Sequence, residues 1–268
     1  MVVCKGNKDL LYIYYCTMKY LRCIIKSFAN FSDICTRLLR IAVSWYQSLK
    51  LNFAYLPFRQ AIKMPIWVCN PCWYDGKYEG RIKIDSNLIS SRMIKLGVNL
   101  QSWYPGNKIT LQLKGGDIIF KGNCLVANGT CIYVGYGSTL ILGNNVLISS
   151  NCKVISESGI RIGDNTRIGW NTLIMDTNFH FLRNNKTGKL SNIKSPINIG
   201  AHNWFGNGCS IYRGFTSCDY VTIGANTQCR GKIDIPYSVW GNDKGLNMIK
   251  EGVFRDLSMD NYDWSHIL

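Results

Sequence analysis

Apolar residues recur every six positions through the middle of this chain. Phe120, Val126 and Ile132 are six apart, as are Leu142, Ile148, Val154 and Ile160. After a slip of two come Ile162, Ile168 and Ile174. Ile199, Phe205 and Ile211 follow, and in the same phase Ile223, Cys229 and Ile235. Gly often comes next, as at Gly143, Gly163, Gly169, Gly200, Gly206 and Gly224. A small or β-branched residue often sits four places on, as at Val146, Thr166, Thr172 and Thr227. An α-helix, with a period of about 3.6, does not produce this pattern, and neither does an alternating strand, with a period of about 2. One short strand plus one turn does: alternation points a side chain inward, and Gly or Asn turns the corner at positive φ. Three such units close a triangular coil, and stacked coils bury their inward residues as one continuous ladder. The pattern predicts an all-β core, a parallel β-helix of hexapeptide repeats, over residues 66–242.

The segments on either side lack this period. Residues 1–65 read as helical, with "SDICTRLLRIAVSWYQSLK" opening on Ser32 and Asp33, both good N-caps. Leu38, Leu39, Ala42, Val43 and Tyr46 fall at helical spacing. Lys19, Arg22 and Lys26 interrupt the earlier apolar run, which argues against a membrane-spanning helix. Basic helices of this kind suit packing on the main domain or on a partner subunit, and equally peripheral contact with an anionic membrane. Residues 243–268 form a tail, or a cap over the open end of the coil stack.

The repeat breaks once at length. From Ile174 to Ile199 is 25 residues, and the intervening stretch is polar and rich in Asn. It cannot stack as a coil, so residues 181–196 are expected to project as a loop. Loops on a rigid scaffold commonly carry function. His180, one of three histidines, stands at the root of this loop, with Asp176 four residues before it.

Composition narrows the chemistry. The chain has 268 residues and a formal net charge of +15, which favours anionic partners. No nucleic-acid-binding motif accompanies the charge, so nucleic acid is not an expected partner. The 12 cysteines fall mostly in strand-like patterns, as at Cys124, Cys152 and Cys229. Buried free thiols behave as small hydrophobes, and without a recognisable secretory signal the expected location is the cytoplasm. The lone Cys-x-x-Cys at Cys69 and Cys72 has no second pair, and reads as coincidence. A zinc site needs three or four ligands, and His180, His202 and His266 are poorly placed to share one, so no metal is expected.

Two segments carry a resemblance. "IRIGDNTRIGWNTLIMDTNFHFL", followed by "SPINIGAHNWFGNGCSIYRGFTSCDYVTIGANTQ", resembles the left-handed β-helix acyltransferases of hexapeptide-repeat type. The nearest in style are O-acetyltransferases of bacterial surface polysaccharides. Aspartate, threonine and the Phe-His pair, then an extruded loop and I-x-I-G-x-x-x-W-F-G-N-G, are its more specific features. The resemblance implies a left-handed helix, a homotrimer, and acetyl-CoA lying between neighbouring subunits. It implies transfer of an acetyl group to a hydroxyl of a sugar or glycan precursor, with His180 as general base. Asp176 would either orient that ring or only shape the turn. The backbone amide of Asn207 would be the oxyanion donor. Trp204 and Gly206 would line the groove. Gly224, Ala225 and Thr227 would hold the pantetheine arm, with Arg230, Lys232 and Lys244 near its phosphates. "GNDKG", at Gly241 to Gly245, stands where relatives have G-N-P-A. A non-catalytic β-helix scaffold or sugar-binding module is the alternative.

Overall fold

The computed structural model describes residues 34–69, 72–74, 79–101, 103–104, 108–241 and 247–252. Helices expected before residue 34, Lys244 and most of the "GNDKG" segment, and His266 in the tail lie outside them. The chain forms two compact units, Met1–Val43 and Ser44–Leu268. The first is described only over 34–43, which is helical, with Ile34, Leu38, Leu39 and Ile41 exposed. No described helix is long and apolar enough to cross a membrane.

The second unit is the parallel β-helix that the six-residue period predicts, left-handed as the resemblance implies. Three sheets form its sides. Face A runs through Ile66–Val68, Ile94–Val98, Cys124–Ala127, Val146–Ile148, Arg167–Ile168, Trp204–Phe205, Val221–Ile223 and Ser238–Gly241. Face B runs through Cys72–Tyr74, Ile109–Leu113, Cys131–Val134, Lys153–Ser156, Leu173–Met175, Ser210–Tyr212 and Gln228–Cys229. Face C runs through Arg81–Ile84, Asp117–Phe120, Thr139–Leu142, Ile160–Ile162, Ile197–Ile199, Thr216–Ser217 and Lys232–Ile233. The chain visits A, B and C in turn, and each strand pairs in parallel with its equivalent one coil away.

The inward ladder is the predicted one. Leu142, Ile148, Val154, Ile162, Ile168, Ile174, Ile199, Phe205, Ile211 and Ile223 are all at most 2% exposed. Each contributes roughly 1.5–3 kcal/mol on leaving water. The slip at Ile160 and Ile162 is one face C strand presenting both ends inward, with Arg161 between them pointing out. Only the last position departs: Ile233 is the buried residue, and Ile235 is half-buried. Pairing of Thr216–Ser217 with Lys232–Ile233 places Ile233 on the axis, so the phase ends two residues early.

Both ends of face A are covered. At the first coil, the helical residues 44–55 turn a polar side to the edge strand Ile66–Val68. Asn52 Nδ2 donates to the Ile66 carbonyl (2.7 Å), and its Oδ1 accepts from Ile66 N–H (3.1 Å). Ser48 Oγ accepts from Val68 N–H (2.9 Å). Ser44, Ser48 and Asn52 are buried, whereas Tyr46 is 64% exposed. The apolar positions at helical spacing therefore do not mark the buried side: an open strand edge needs hydrogen-bond partners, which apolar side chains cannot supply. At the other end Asn247–Glu251 pairs antiparallel with Ser238–Gly241.

Candidate functional site

The corners of the prism position the candidate residues. The excursion leaves face B after Leu173–Met175 and returns at Ile197–Ile199 on face C, so it springs from the B/C corner. It folds back on itself. Thr177 bridges Lys194 and Arg183 bridges Leu190, both antiparallel. Ser191 N–H donates to the Leu182 carbonyl (2.8 Å), and Ser195 N–H to the Asp176 carbonyl (3.0 Å). His180 is exposed near the base of this hairpin. Phe179 before it has φ 60°, although it is not a coil corner and its side chain is bulky. That backbone state turns the chain sharply where His180 emerges.

Asp176 is completely buried. Its carboxylate accepts from the backbone N–H groups of Glu157 (2.7 Å), Ser158 (2.9 Å) and Gly159 (2.7 Å), and from Ser156 Oγ (3.2 Å). These are the bonds of a turn-shaping residue. They tie the root of the hairpin to the coil below it, and none of them reaches His180.

Trp204, Gly206, Asn207, Gly224, Ala225 and Thr227 gather elsewhere, on face A and at the A/B corner. Trp204 is 40% exposed and stands in register with Thr222 of the next coil. Asn226 N–H donates to the Asn207 carbonyl (2.8 Å). A Cβ on Gly206 would lie 2.6 Å from Ala225 N, so glycine is required for the coils to stack here. Thr227 is buried, and its Oγ1 has no hydrogen-bond partner among the described residues.

The two ends of face A differ in one respect. At the C/A corner, backbone N–H groups are capped by side chains of the neighbouring coil: Asn123 by Asn144 Oδ1 (2.9 Å), Asn144 by Asp164 Oδ1 (2.8 Å) and Ala201 by Asp219 Oδ1 (2.7 Å). At the A/B corner, the N–H groups of Trp170, Asn207 and Ala225 have no such acceptor among the described residues. A hydrogen-bond donor left open beside a half-exposed indole can receive a developing oxyanion.

The structure does not bring His180 to this group within one chain. His180 stands at the B/C corner and the Asn207 N–H at the A/B corner, so base and donor sit at the two ends of face B. Arg230, with its guanidinium 4.2 Å above the Tyr212 ring, follows the face B strand Gln228–Cys229 toward the same corner as His180. Lys232 is on face C, 3.4 Å from Asp234. Neither joins the Trp204 group in a single subunit. His202 occupies a C/A corner, stacked on Tyr220 with ring centroids 4.5 Å apart. Trp170 and Arg167 were not singled out by the sequence reading. Aligning "RIGW" with "WFGN" and "TIGA" by the six-residue phase would have found them, one coil before Trp204 and Asn207.

No family model matches the chain, and no curated protein matches it. Solved structures do. The polysialic acid-specific acetyltransferase NeuO aligns at 13% identity with a TM-score of 0.49, over 75% of this chain and 93% of that one. The polysialic acid O-acetyltransferase OatWY aligns at 16% identity and a TM-score of 0.45, over 71% and 90%. A hexapeptide-repeat-containing acetyltransferase from Vibrio cholerae aligns at 19% identity and a TM-score of 0.40, over 50% and 72%. All three are acetyltransferases, and at 13–19% identity the likeness is one of fold.

Proposed function

We propose that this chain is an acetyl-CoA-dependent O-acetyltransferase acting on a sugar or glycan hydroxyl, with each site completed by two copies of a trimer. The observation that carries this reading is the division of the candidate machinery. An exposed His180 is held on a hydrogen-bonded hairpin at the B/C corner, and an uncapped Asn207 N–H stands near Trp204 at the A/B corner, the other end of face B. A threefold arrangement sets one copy's B/C corner against its neighbour's A/B corner and joins the halves. His180 takes the proton of the acceptor hydroxyl as its oxygen attacks the thioester carbonyl. The Asn207 N–H receives the charge on the carbonyl oxygen. The C–O bond forms, the C–S bond breaks, and the imidazolium returns its proton to the departing thiolate. The pantetheine arm lies along Gly224, Ala225 and Thr227. Arg230, on the His180 side, then comes from the other copy and meets the coenzyme phosphates.

The test is thiol release from acetyl-CoA with a panel of sugars, nucleotide sugars and serine. His180→Ala should lower turnover by about 10²–10⁴-fold without lowering the unfolding temperature. Mixed oligomers of His180→Ala and Trp204→Ala chains should recover part of the lost activity, because some interfaces then pair an intact His180 with an intact Trp204. Absence of release with every acceptor would leave the β-helix as a scaffold or binding module. Activity without recovery in mixed oligomers would place both halves in one chain.

A further inference from the structure

The helix that caps the first coil is built inside out. Its polar residues face the prism: Ser48 and Asn52 bond the edge strand Ile66–Val68, and Ser44, Ser48 and Asn52 are all buried. Its aromatic residues face away. At about 100° per residue, Trp45, Leu49, Phe53 and Tyr46 fall in one sector roughly 100° wide, beside the buried sector and turned from the strand edge. Trp45, Tyr46 and Phe53 are each at least half exposed. The apolar surface continues past the helix end. The Phe58 ring lies 6.3 Å from the Phe53 ring, and Phe58 and Ile62 are exposed as well. Aromatic surface gathered in this way on a protein exterior marks a place that something covers.

Charge selects the cover. Exposed Lys50, Arg59 and Lys63 border the patch. The chain has no Asp or Glu between Asp33 and Asp75, so this segment carries positive charge alone. A second copy seated on the patch about a twofold axis would bring these cations against their own counterparts, in a chain whose formal net charge is already +15. An acidic lipid surface suits both parts. Trp, Tyr and Phe settle at the boundary of headgroup and hydrocarbon, and Lys and Arg reach the phosphates, each adding about 1 kcal/mol.

We infer that residues 45–63 dock the protein on an anionic phospholipid bilayer, with Trp45, Tyr46, Phe53, Phe58 and Ile62 entering at headgroup level and Arg59 and Lys63 meeting lipid phosphates. The inference does not depend on acetyl transfer. It does fix how the prism stands. On face A, five strand spacings separate Ile66–Val68 from Trp204–Phe205, a run of about 24 Å at ~4.8 Å each. A prism standing on its first coil holds Trp204 clear of the ~5–10 Å layer that an interfacial helix enters. The candidate site then faces water while its scaffold is held at the membrane.

The experiment is co-sedimentation of the whole chain with vesicles, of phosphatidylcholine alone or with about a third phosphatidylglycerol. The anionic vesicles should bind the protein, less in about 0.5 M salt than in about 0.1 M, and the neutral vesicles should bind far less. Trp45→Ser/Phe58→Ser should lower partitioning by roughly tenfold, and Arg59→Ser/Lys63→Ser by roughly tenfold. Unfolding temperatures should hold, because all four side chains are exposed. Tyr136→Ser and Lys153→Ser/Arg161→Ser remove an exposed aromatic and an equal charge from elsewhere on the prism, and should change little. Failure to bind anionic vesicles would overturn the inference. Equal losses in the control variants would do the same, since any anionic surface then attracts a basic protein. Binding that survives both cap variants would place the contact elsewhere in the chain and also overturn it. A smaller oligomer for Trp45→Ser/Phe58→Ser in sedimentation velocity would give the face to a second copy instead. Thiol release in solution should be the same in parent and cap variants, so docking and transfer fail separately.

Discussion

At the scale of single residues, two neighbours of His180 do different work. Asp176 answers three backbone donors in the 157–159 turn and stands on a buried floor. Asp176→Ala removes the acceptor and leaves those donors unmatched. A buried donor without a partner costs about 1–3 kcal/mol, so the variant should lose roughly 3 kcal/mol or more in urea unfolding. Asp176→Asn should lose somewhat less, since one amide oxygen remains. A variant of unchanged stability but reduced turnover would instead make Asp176 the orienter of the imidazole. Phe179 makes the opposite trade. Its φ of 60° costs roughly 1–2 kcal/mol for a side chain of this kind, a cost that commonly accumulates at functional sites. Phe179→Gly relieves the strain but frees the backbone. Stability should stay within about 1 kcal/mol of the parent, because greater freedom in the unfolded chain offsets the gain. Turnover should fall several-fold as His180 loses its fixed direction, and unchanged turnover would show that the turn does not position the histidine.

At the scale of elements, the helical residues 44–55 show how an open β-helix end is closed. Ser48 and Asn52 stand in for the missing strand, meeting the N–H groups of Val68 and Ile66 and the Ile66 carbonyl. Asn52→Leu keeps size and raises apolarity, yet it strands an edge donor and acceptor under a helix. It should destabilise by about 2–3 kcal/mol in thermal or urea unfolding. A neutral result would mean that solvent reaches the edge and the helix is only loosely held. This element was half legible in the sequence. Its existence followed from helical spacing. Its buried side did not, because Tyr46, at the apolar helical spacing, is exposed while Ser44, Ser48 and Asn52 are buried. The coils were legible for the converse reason: each repeats one requirement, an inward apolar residue followed by a tight corner, so five runs agree. The hairpin was legible as a break in that agreement. The outward row of Trp204, Arg167, Leu147 and Leu125 on face A was not, because it is drawn from residues 20 to 37 apart that only coil stacking brings together.

At the scale of the whole molecule, the prism decides what meets what. Its cross-section puts His180 and Asn207 at opposite ends of face B, a fact no local motif contains. It also holds sulfur on its axis. Cys124, Cys152 and Cys209 are buried free thiols in the stack. Burial pushes their pKa up from 9.0, to about 12 for Cys124 and Cys152 and about 11 for Cys209, and Cys229 is raised further still. The thiolate is the reactive form, so these groups should resist alkylation while the coils are closed. Exposed Cys35 is accessible to reagent throughout. With iodoacetamide at pH 8, labelling of Cys124, Cys152, Cys209 and Cys229 should follow unfolding, read peptide by peptide in mass spectrometry. The same shifts fix the sign of the alkaline response. Below about pH 9 these thiols are protonated in both states and cost nothing. Above it the unfolded chain releases protons that the folded chain retains, so stability falls as pH rises through the 9–12 window. Urea midpoints should therefore decline from pH 9 to pH 11, and replacing Cys124 and Cys152 by Ala should flatten the decline while lowering stability at neutral pH. A decline of equal steepness in that variant would assign the alkaline loss to the lysines and tyrosines of the surface instead.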